Sequence, residues 1–226
     1  MSATFQDRLA HECELWQKGL KLVAGVDEAG RGPLAGPVFA AAVILPCSWS
    51  ETGVDSRLRH LNDSKQLTEA QREEYYTILT SHPDIRYAIA SADAEMIDRI
   101  NILQATHRAM NQALAQLQPP PEHVLVDGRP VKSMPFPHSA LVKGDARSYS
   151  IAGASVLAKV TRDRLMREMD QRYPGYGFAV HKGYGTPQHL AALQTLGPCP
   201  IHRRSFAPLR SVEMQLPLTN PASSPG

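Results

Sequence analysis

Asp27 and Glu28 stand side by side at the end of the apolar run Val23–Val26. Asp127 closes a second short apolar run, His123–Val126, and Asp145 follows 18 residues later, just ahead of a long helical pattern. A carboxylate at the end of a buried strand is costly unless a positive charge meets it. An Arg or Lys can do this, and so can a divalent cation held by oxygen ligands. Four acids gathered in one place repel one another, so without cations at least one keeps its proton. Mg²⁺ or Mn²⁺ suits carboxylate, water and phosphate oxygens. Two such ions about 4 Å apart can clamp the attacking and leaving oxygens of an in-line phosphoryl displacement. Each acid alone has an ordinary explanation: Asp127-Gly128 as a turn, Asp145 as a helix N-cap. Their joint placement at strand ends points to a metal-dependent site.

The loop behind the first pair carries Gly30, Arg31, Gly32, Pro33, Gly36 and Pro37. Glycine tolerates positive φ and lets a partner approach the backbone closely. Main-chain N–H groups in such a loop can be laid against a ligand, and Arg31 indicates a negatively charged one. A plain Gly-rich hairpin turn with solvated acids is the competing explanation.

The elements that must position these groups follow from pattern. Leu22–Asp27 and Val38–Leu45 read as strands joined by the glycine loop. Residues 46–62 read as a loop. Thr68 with Gln71 makes a capping box for a helix whose core face is Leu67, Ala70, Ile78 and Leu79. Arg86–Ala92 is a third strand. Asn101–Leu117 is an amphipathic helix with Ile102, Ala105, Ala109, Ala113 and Leu117 on one face, ended by Pro119–Pro121. His123–Val126 is strand four, 129–138 a loop, and Ala140–Lys143 strand five. A long helix runs to about Tyr173, with Ala154, Leu157, Ala158, Leu165 and Met169 inward. Thr186–Leu196 is a short helix with Pro187 in its first turn. The order predicts an α/β fold, a mixed five-stranded sheet flanked by helices. If strands one and four are parallel neighbours, Asp27, Glu28 and Asp127 share one edge of the sheet, where open α/β sheets place their sites.

The 226 residues divide into a lead-in over 1–20, a loosely packed helix at most, one domain over 21–210, and a disordered Pro- and Ser-rich tail over 211–226. The helical region of that domain starts at about 174. No apolar run approaches the span of a bilayer, and the N-terminus has no signal-peptide pattern. Three scattered cysteines form neither a disulfide framework nor a metal cluster, which suits a reducing cytoplasm. The net charge of +2 hides an asymmetry: residues 1–128 carry 11 Lys and Arg against 17 Asp and Glu, whereas 129–210 carry 13 against 4. A basic second half suits contact with a polyanion.

Together these stretches resemble bacterial ribonuclease HII over about residues 22–209. The resemblance rests on Gly25-Val-Asp27-Glu28-Ala-Gly30-Arg31-Gly32-Pro33, Asp63-Ser64-Lys65, Val126-Asp127-Gly128, Lys143-Gly144-Asp145, Ser150 to Asp163, His181 to Thr186, and His202-Arg203-Arg204-Ser205-Phe206. Gly153 stands where such sequences often carry Ala. The resemblance implies a ribonuclease H-like fold with a C-terminal helical extension. It implies cleavage of the RNA strand of RNA–DNA hybrids and incision 5′ to single ribonucleotides in duplex DNA, by two-metal hydrolysis leaving 5′-phosphate and 3′-OH ends. Asp27, Glu28, Asp127 and Asp145 become the catalytic carboxylates holding Mn²⁺ or Mg²⁺. Gly30, Arg31 and Gly32 become the reader of the ribose 2′-OH, with Tyr184 against the adjacent sugar. Ser64 and Lys65 become phosphate contacts. Lys143, Arg147, Lys159, Arg162 and Lys182 are candidates for positioning the duplex without reading sequence, although for Arg162, as for Arg164, a charge that simply faces water on the helix is the competing explanation. His123, His138 and His181 form no site. The expected partners are hybrid duplex and ribonucleotide-containing DNA, bound by a monomer. The rival is a non-catalytic hybrid-binding protein, which would have no reason to gather four acids.

Overall fold

Val23–Ala29 forms β1, the middle strand of a five-stranded sheet of order β3-β2-β1-β4-β5. The computed structural model describes residues 7–210, so the expected disorder of 211–226 lies outside the described residues. β2 (Val38–Ile44) is antiparallel to β1 and to β3 (Arg86–Ala92). β4 (His123–Asp127) runs parallel to β1, and β5 (His138–Leu141) parallel to β4. The helices are α1 (Ala10–Gln17), α2 (Trp49–Thr52), α3 (Glu69–Ser81), α4 (Ala94–Ile100), α5 (Ile102–Gln116), α6 (Tyr149–Arg172), α7 (Phe178–His181) and α8 (Pro187–Leu196).

Successive strand residues point to opposite faces. Ala24 and Val26 of β1 therefore join Ala40, Ala42, Val124 and Val126 beneath α5. Val23, Ala41, Val43 and Leu125 join α6 on the other face. α6 crosses β1 at Gly25, where a Cβ would lie 2.3 Å from the backbone of Ser150 and Ile151. That absent side chain lets the 24-residue helix lie against the strand that carries Asp27.

The N-terminal segment is more closely built in than its polar composition predicts. Leu9 and Trp16 enter the α6-side core, and Glu12 is fully buried. One Glu12 oxygen accepts hydrogen bonds from Ser148 Oγ (2.6 Å), Ser150 N (3.0 Å) and Ser150 Oγ (2.7 Å). A carboxylate at this point complements the dipole at the start of α6.

Other differences are local. The 46–62 stretch is not a plain loop: it holds α2 and a 3-10 turn, with Trp49, Val54, Leu58 and Leu61 buried. Ala70 faces solvent, and Tyr75 takes its place in the core with Ile78 and Leu79. α4 is an additional helix capped by Asp93, and Asn101 at φ 66° turns the chain from it into α5. β5 starts two residues earlier than its apolar pattern indicates, leaving Lys143 outside the strand in a left-handed conformation. The capping box at Thr68 and Gln71 is formed.

Candidate active site

The parallel register pairs Val26 with Val126, so the next residues, Asp27 and Asp127, emerge side by side at one sheet edge. Asp145 arrives from the 3-10 turn Gly144–Ala146 between β5 and α6. Carboxylate oxygens of Asp27, Asp127 and Asp145 all lie within 4.8 Å of one another. Each acid has one oxygen fixed by a backbone N–H: Glu28 N to Asp27 (2.7 Å), Gly144 N to Asp127 (2.6 Å) and Ala146 N to Asp145 (2.9 Å). Glu28, the next residue after Asp27, leaves the strand on the opposite face. It sits at the margin of the cluster, ion-paired to Arg31 at 3.0 Å.

This concentration of negative charge is only partly offset. Burial, then Glu28 and Asp127, push the Asp27 carboxyl well above its ordinary value, against the Ser155 hydroxyl and the Glu28 N–H. Burial, then Asp127 and Asp63, push Asp145 up, against Lys65. Burial works to lower Lys65, but Asp63, Asp27, Asp145 and Asp127 outweigh it and raise the ammonium. An all-oxygen donor set that resists ionising in the absence of cations fits hard divalent ions.

The glycine loop is held from behind by two buried arginines. Arg203 donates from Nε to Gly36 O (2.9 Å), from Nη1 to Arg31 O (2.8 Å) and from Nη2 to Gly30 O (2.5 Å). Arg162 donates to Pro37 O (3.0 Å) and Ala35 O (3.1 Å). In a trans peptide the N–H points opposite to the preceding carbonyl. With the Gly30 and Arg31 carbonyls drawn to Arg203, the N–H groups of Arg31 and Gly32 point away from it. Gly30 has φ 94°, and a Cβ there would lie 2.0 Å from Arg162 Nε, so no other residue fits. Burial is the main reason that Arg162 is lowered to about 10 and Arg203 to about 9.

The cleft, about 260 Å³, is lined by Gly30, Gly32, Ser64, Lys65, Lys159 and Tyr184 among others. The Tyr184 ring stands beside Gly32, 3.5 Å from where a Cβ would be. Ser64 is buried, its hydroxyl 2.9 Å from that of Ser155, which in turn bonds Asp27. Lys65 is exposed. Lys143 and Arg147 lie outside this cleft, on either side of Asp145. Arg162 is not a duplex-facing cation: at 1% exposure it is a scaffold for the loop. Lys159 pairs with Asp163 at 2.7 Å, and Lys182 donates to the Ala179 carbonyl.

Arg203 and Ser155 were not distinguishable as site residues by type, because a lone Arg or Ser has no spacing signature. The same holds for three histidines behind Tyr184. Cys199 N–H donates to His202 Nδ1 (2.9 Å), which leaves the His202 proton on Nε2. That proton reaches His189 Nε2 (3.0 Å), and His189 Nδ1–H reaches the Tyr184 carbonyl (2.9 Å). His181 stacks on His189 with centroids 4.5 Å apart. His181 is thus structural, as its sequence context indicates, and His123 is tied to Ser139 away from the acids.

The family profile described as Ribonuclease HII matches residues 24–209. A curated relative, Ribonuclease HII of Listeria monocytogenes serotype 4a (strain HCC23), is 51% identical over 204 residues, covering 90% of this chain and 75% of its own. Among solved structures, ribonuclease H2 from Pyrococcus horikoshii OT3 superposes with TM-score 0.68 at 30% identity, covering 85% of this chain and 97% of its own. Bst-RNase HIII in complex with Mn²⁺ shares the fold, with TM-score 0.59 at 17% identity, covering 85% of this chain and 69% of its own.

Proposed function

The chain belongs to the ribonuclease HII family and is a type 2 ribonuclease H; on that premise we propose that it cuts the RNA strand of RNA–DNA hybrids and incises duplex DNA 5′ to a single ribonucleotide, leaving 5′-phosphate and 3′-hydroxyl ends. The observation that carries this reading is the convergence of Asp27, Asp127 and Asp145 within 4.8 Å, beside the Gly30–Gly32 loop that lines a cleft. Asp27, Asp127 and Asp145, with Glu28 at their margin, are the residues that would hold Mn²⁺ or Mg²⁺. The fold relative Bst-RNase HIII forms a complex with Mn²⁺, which is in keeping with use of a divalent ion. Bound there, two divalent ions would activate a water and neutralise charge on the phosphate oxygens.

The chain's own residues select and hold the substrate. The 2′-OH is donor and acceptor at once, and it is what distinguishes RNA from DNA at a given site. The outward N–H groups of Arg31 and Gly32 offer donors to its oxygen, and Tyr184 offers a flat face to the neighbouring sugar. Arg31 is paired with Glu28 in the free protein, so it neutralises that acid until other charge does. Lys65 and Lys159 stand at the cleft wall where a phosphate would pass. One chain supplies all of these groups, so the reading requires no second copy. Among the described residues no helix is long and apolar enough to cross a membrane.

The test is a DNA duplex with one ribose, incubated with Mg²⁺ or Mn²⁺, its product ends mapped. A single cut 5′ to the ribose is expected, and Asp27→Asn should bind the duplex yet fail to cut it. Metal-dependent cutting by Asp27→Asn, or no cutting by the wild type, would refute the reading.

A further inference from the structure

Glu28 and Arg31 border two cavities. One is the cleft beneath the glycine loop. The other is larger, about 770 Å³, and lies between α5 and the loop that follows β4. Asp127 and Glu28 form its wall toward the acids. His107 and Leu103 reach it from α5, and Arg129 and Lys132 from the loop. Leu103 is 46% exposed, an apolar side chain left facing the opening. Arg129 and Lys132 are exposed, and neither has an ion pair or hydrogen bond among the described residues.

Free cations beside an apolar wall match a nucleotide: phosphate for the charges, sugar or base for the leucine. The volume lies in the range of ligand pockets, roughly 300–1,000 Å³. The two cavities flank the acid cluster on opposite faces of the sheet edge. A polynucleotide that runs from the glycine cleft past the acids enters the larger cavity, because Glu28 and Arg31 border both. The polarity of the bound strand rests on the proposed function. There the sugar read by the loop belongs to the nucleotide 3′ of the cut bond, so the nucleotide beyond the acids is the 5′ neighbour. We propose that the cavity between α5 and the β4–β5 loop is the subsite for that 5′ nucleotide, with Arg129 and Lys132 on the phosphate at its own 5′ side.

The experiment compares three single-ribose duplexes. One has a long 5′ flank. The other two begin at the single deoxynucleotide before the ribose, with either a 5′-phosphate or a 5′-hydroxyl. The paired variant Arg129→Ala/Lys132→Ala should raise KM about tenfold on the first two, with kcat within about twofold. On the 5′-hydroxyl substrate the variant and the wild type should agree within about twofold. The dependence of KM on salt should also weaken for the long substrate by about one to two phosphate contacts. Arg108→Ala, which removes an exposed α5 cation that does not line the cavity, should change none of these values. An equal KM effect on all three substrates, or none on any, overturns the subsite while leaving the proposed function standing. Failure of the wild type to cut any of them overturns both.

Discussion

Arg203 gives the most direct access to how the loop is built. It is fully buried and forms no ion pair among the described residues, so the carbonyls of Gly30, Arg31 and Gly36 are its hydrogen-bonding environment. Replacing it with Met keeps much of the volume and leaves three carbonyls without a donor. Each costs about 1 kcal/mol or more when left unpaired in the interior. Part of this is returned because a cation no longer has to be desolvated. A net loss of about 2–4 kcal/mol follows, or roughly 4–16 °C in Tm for a domain of this size. The functional loss should be larger in kind. Without Arg203 the two peptide units it orients can rotate, and the N–H groups of Arg31 and Gly32 lose their shared direction. A displacement of about 1 Å at a reacting group can cost on the order of 100-fold. The assay is kcat/KM on a single-ribose duplex, with thermal melting run in parallel. Arg203→Lys should not restore activity, because one ammonium cannot reproduce a planar fork reaching three carbonyls. If Arg203→Met melts within about 2 °C of the wild type and keeps kcat/KM within about twofold, the loop is not organised from behind as described.

Two glycine substitutions should have opposite signs. Gly25→Ala drives a Cβ to 2.3 Å from the α6 backbone and should destabilise by about 1–3 kcal/mol or more, whereas Gly153→Ala meets only Leu79 and Val43 side chains at 3.4–3.6 Å and should stabilise by about 0.5–1 kcal/mol in chemical denaturation. Asp27→Asn removes a carboxyl whose ionisation is opposed by burial, then Glu28 and Asp127, so the metal-free variant should melt a few degrees above the wild type at pH 7, and unlike the wild type it should gain little from added Mn²⁺. Burial and then His189 hold His202 down at about 4, below the ordinary unfolded value of about 6.5, so its neutral form stabilises the fold at and above neutrality. That stability is lost as pH falls from about 6.5 toward 4, and the advantage of wild type over His202→Gln in denaturation should shrink by about 1–3 kcal/mol across that window; a difference flat with pH would show that the imidazole is not buried neutral.

The acids were legible because a carboxylate at the end of an apolar run violates the pattern around it. Asp27 and Asp127 each break such a run, and the parallel pairing of their strands follows from ordinary α/β topology. The glycine loop was legible for the same reason, since only positions needing special φ or close approach tolerate so many glycines. What supports these groups was not. Arg162 resembles any polar residue on a long helix, yet its side chain reaches back to Ala35 and Pro37. Glu12 lies in a stretch whose composition indicates a loose lead-in, although it anchors the start of α6. Long-range side-chain-to-backbone bonds leave no periodicity, so burial of these charges becomes visible only in three dimensions. The cavity at Arg129 and Lys132 has the same origin: its walls come from a helix and a loop far apart in the chain, and neither is unusual alone.

On the proposed reading, the arrangement of β1 ties recognition to cleavage. Asp27 and Gly30 are three residues apart, which at strand spacing is about 10 Å. If the loop reads a sugar hydroxyl and Asp27 governs the cut, the sugar and the cut phosphate lie within about three base steps of 3.4 Å each. The loop cannot shift along the duplex independently of the acids, because Arg162 and Arg203 fix its carbonyls and α6 fixes β1 through Gly25. An enzyme built this way cuts at a set offset from the ribose it reads. Lengthening the link by one residue between Glu28 and Gly30 should therefore abolish cutting rather than move the cut site, since the extra residue shifts Gly30 and Arg31 relative to both Asp27 and the Arg203 guanidinium that holds their carbonyls.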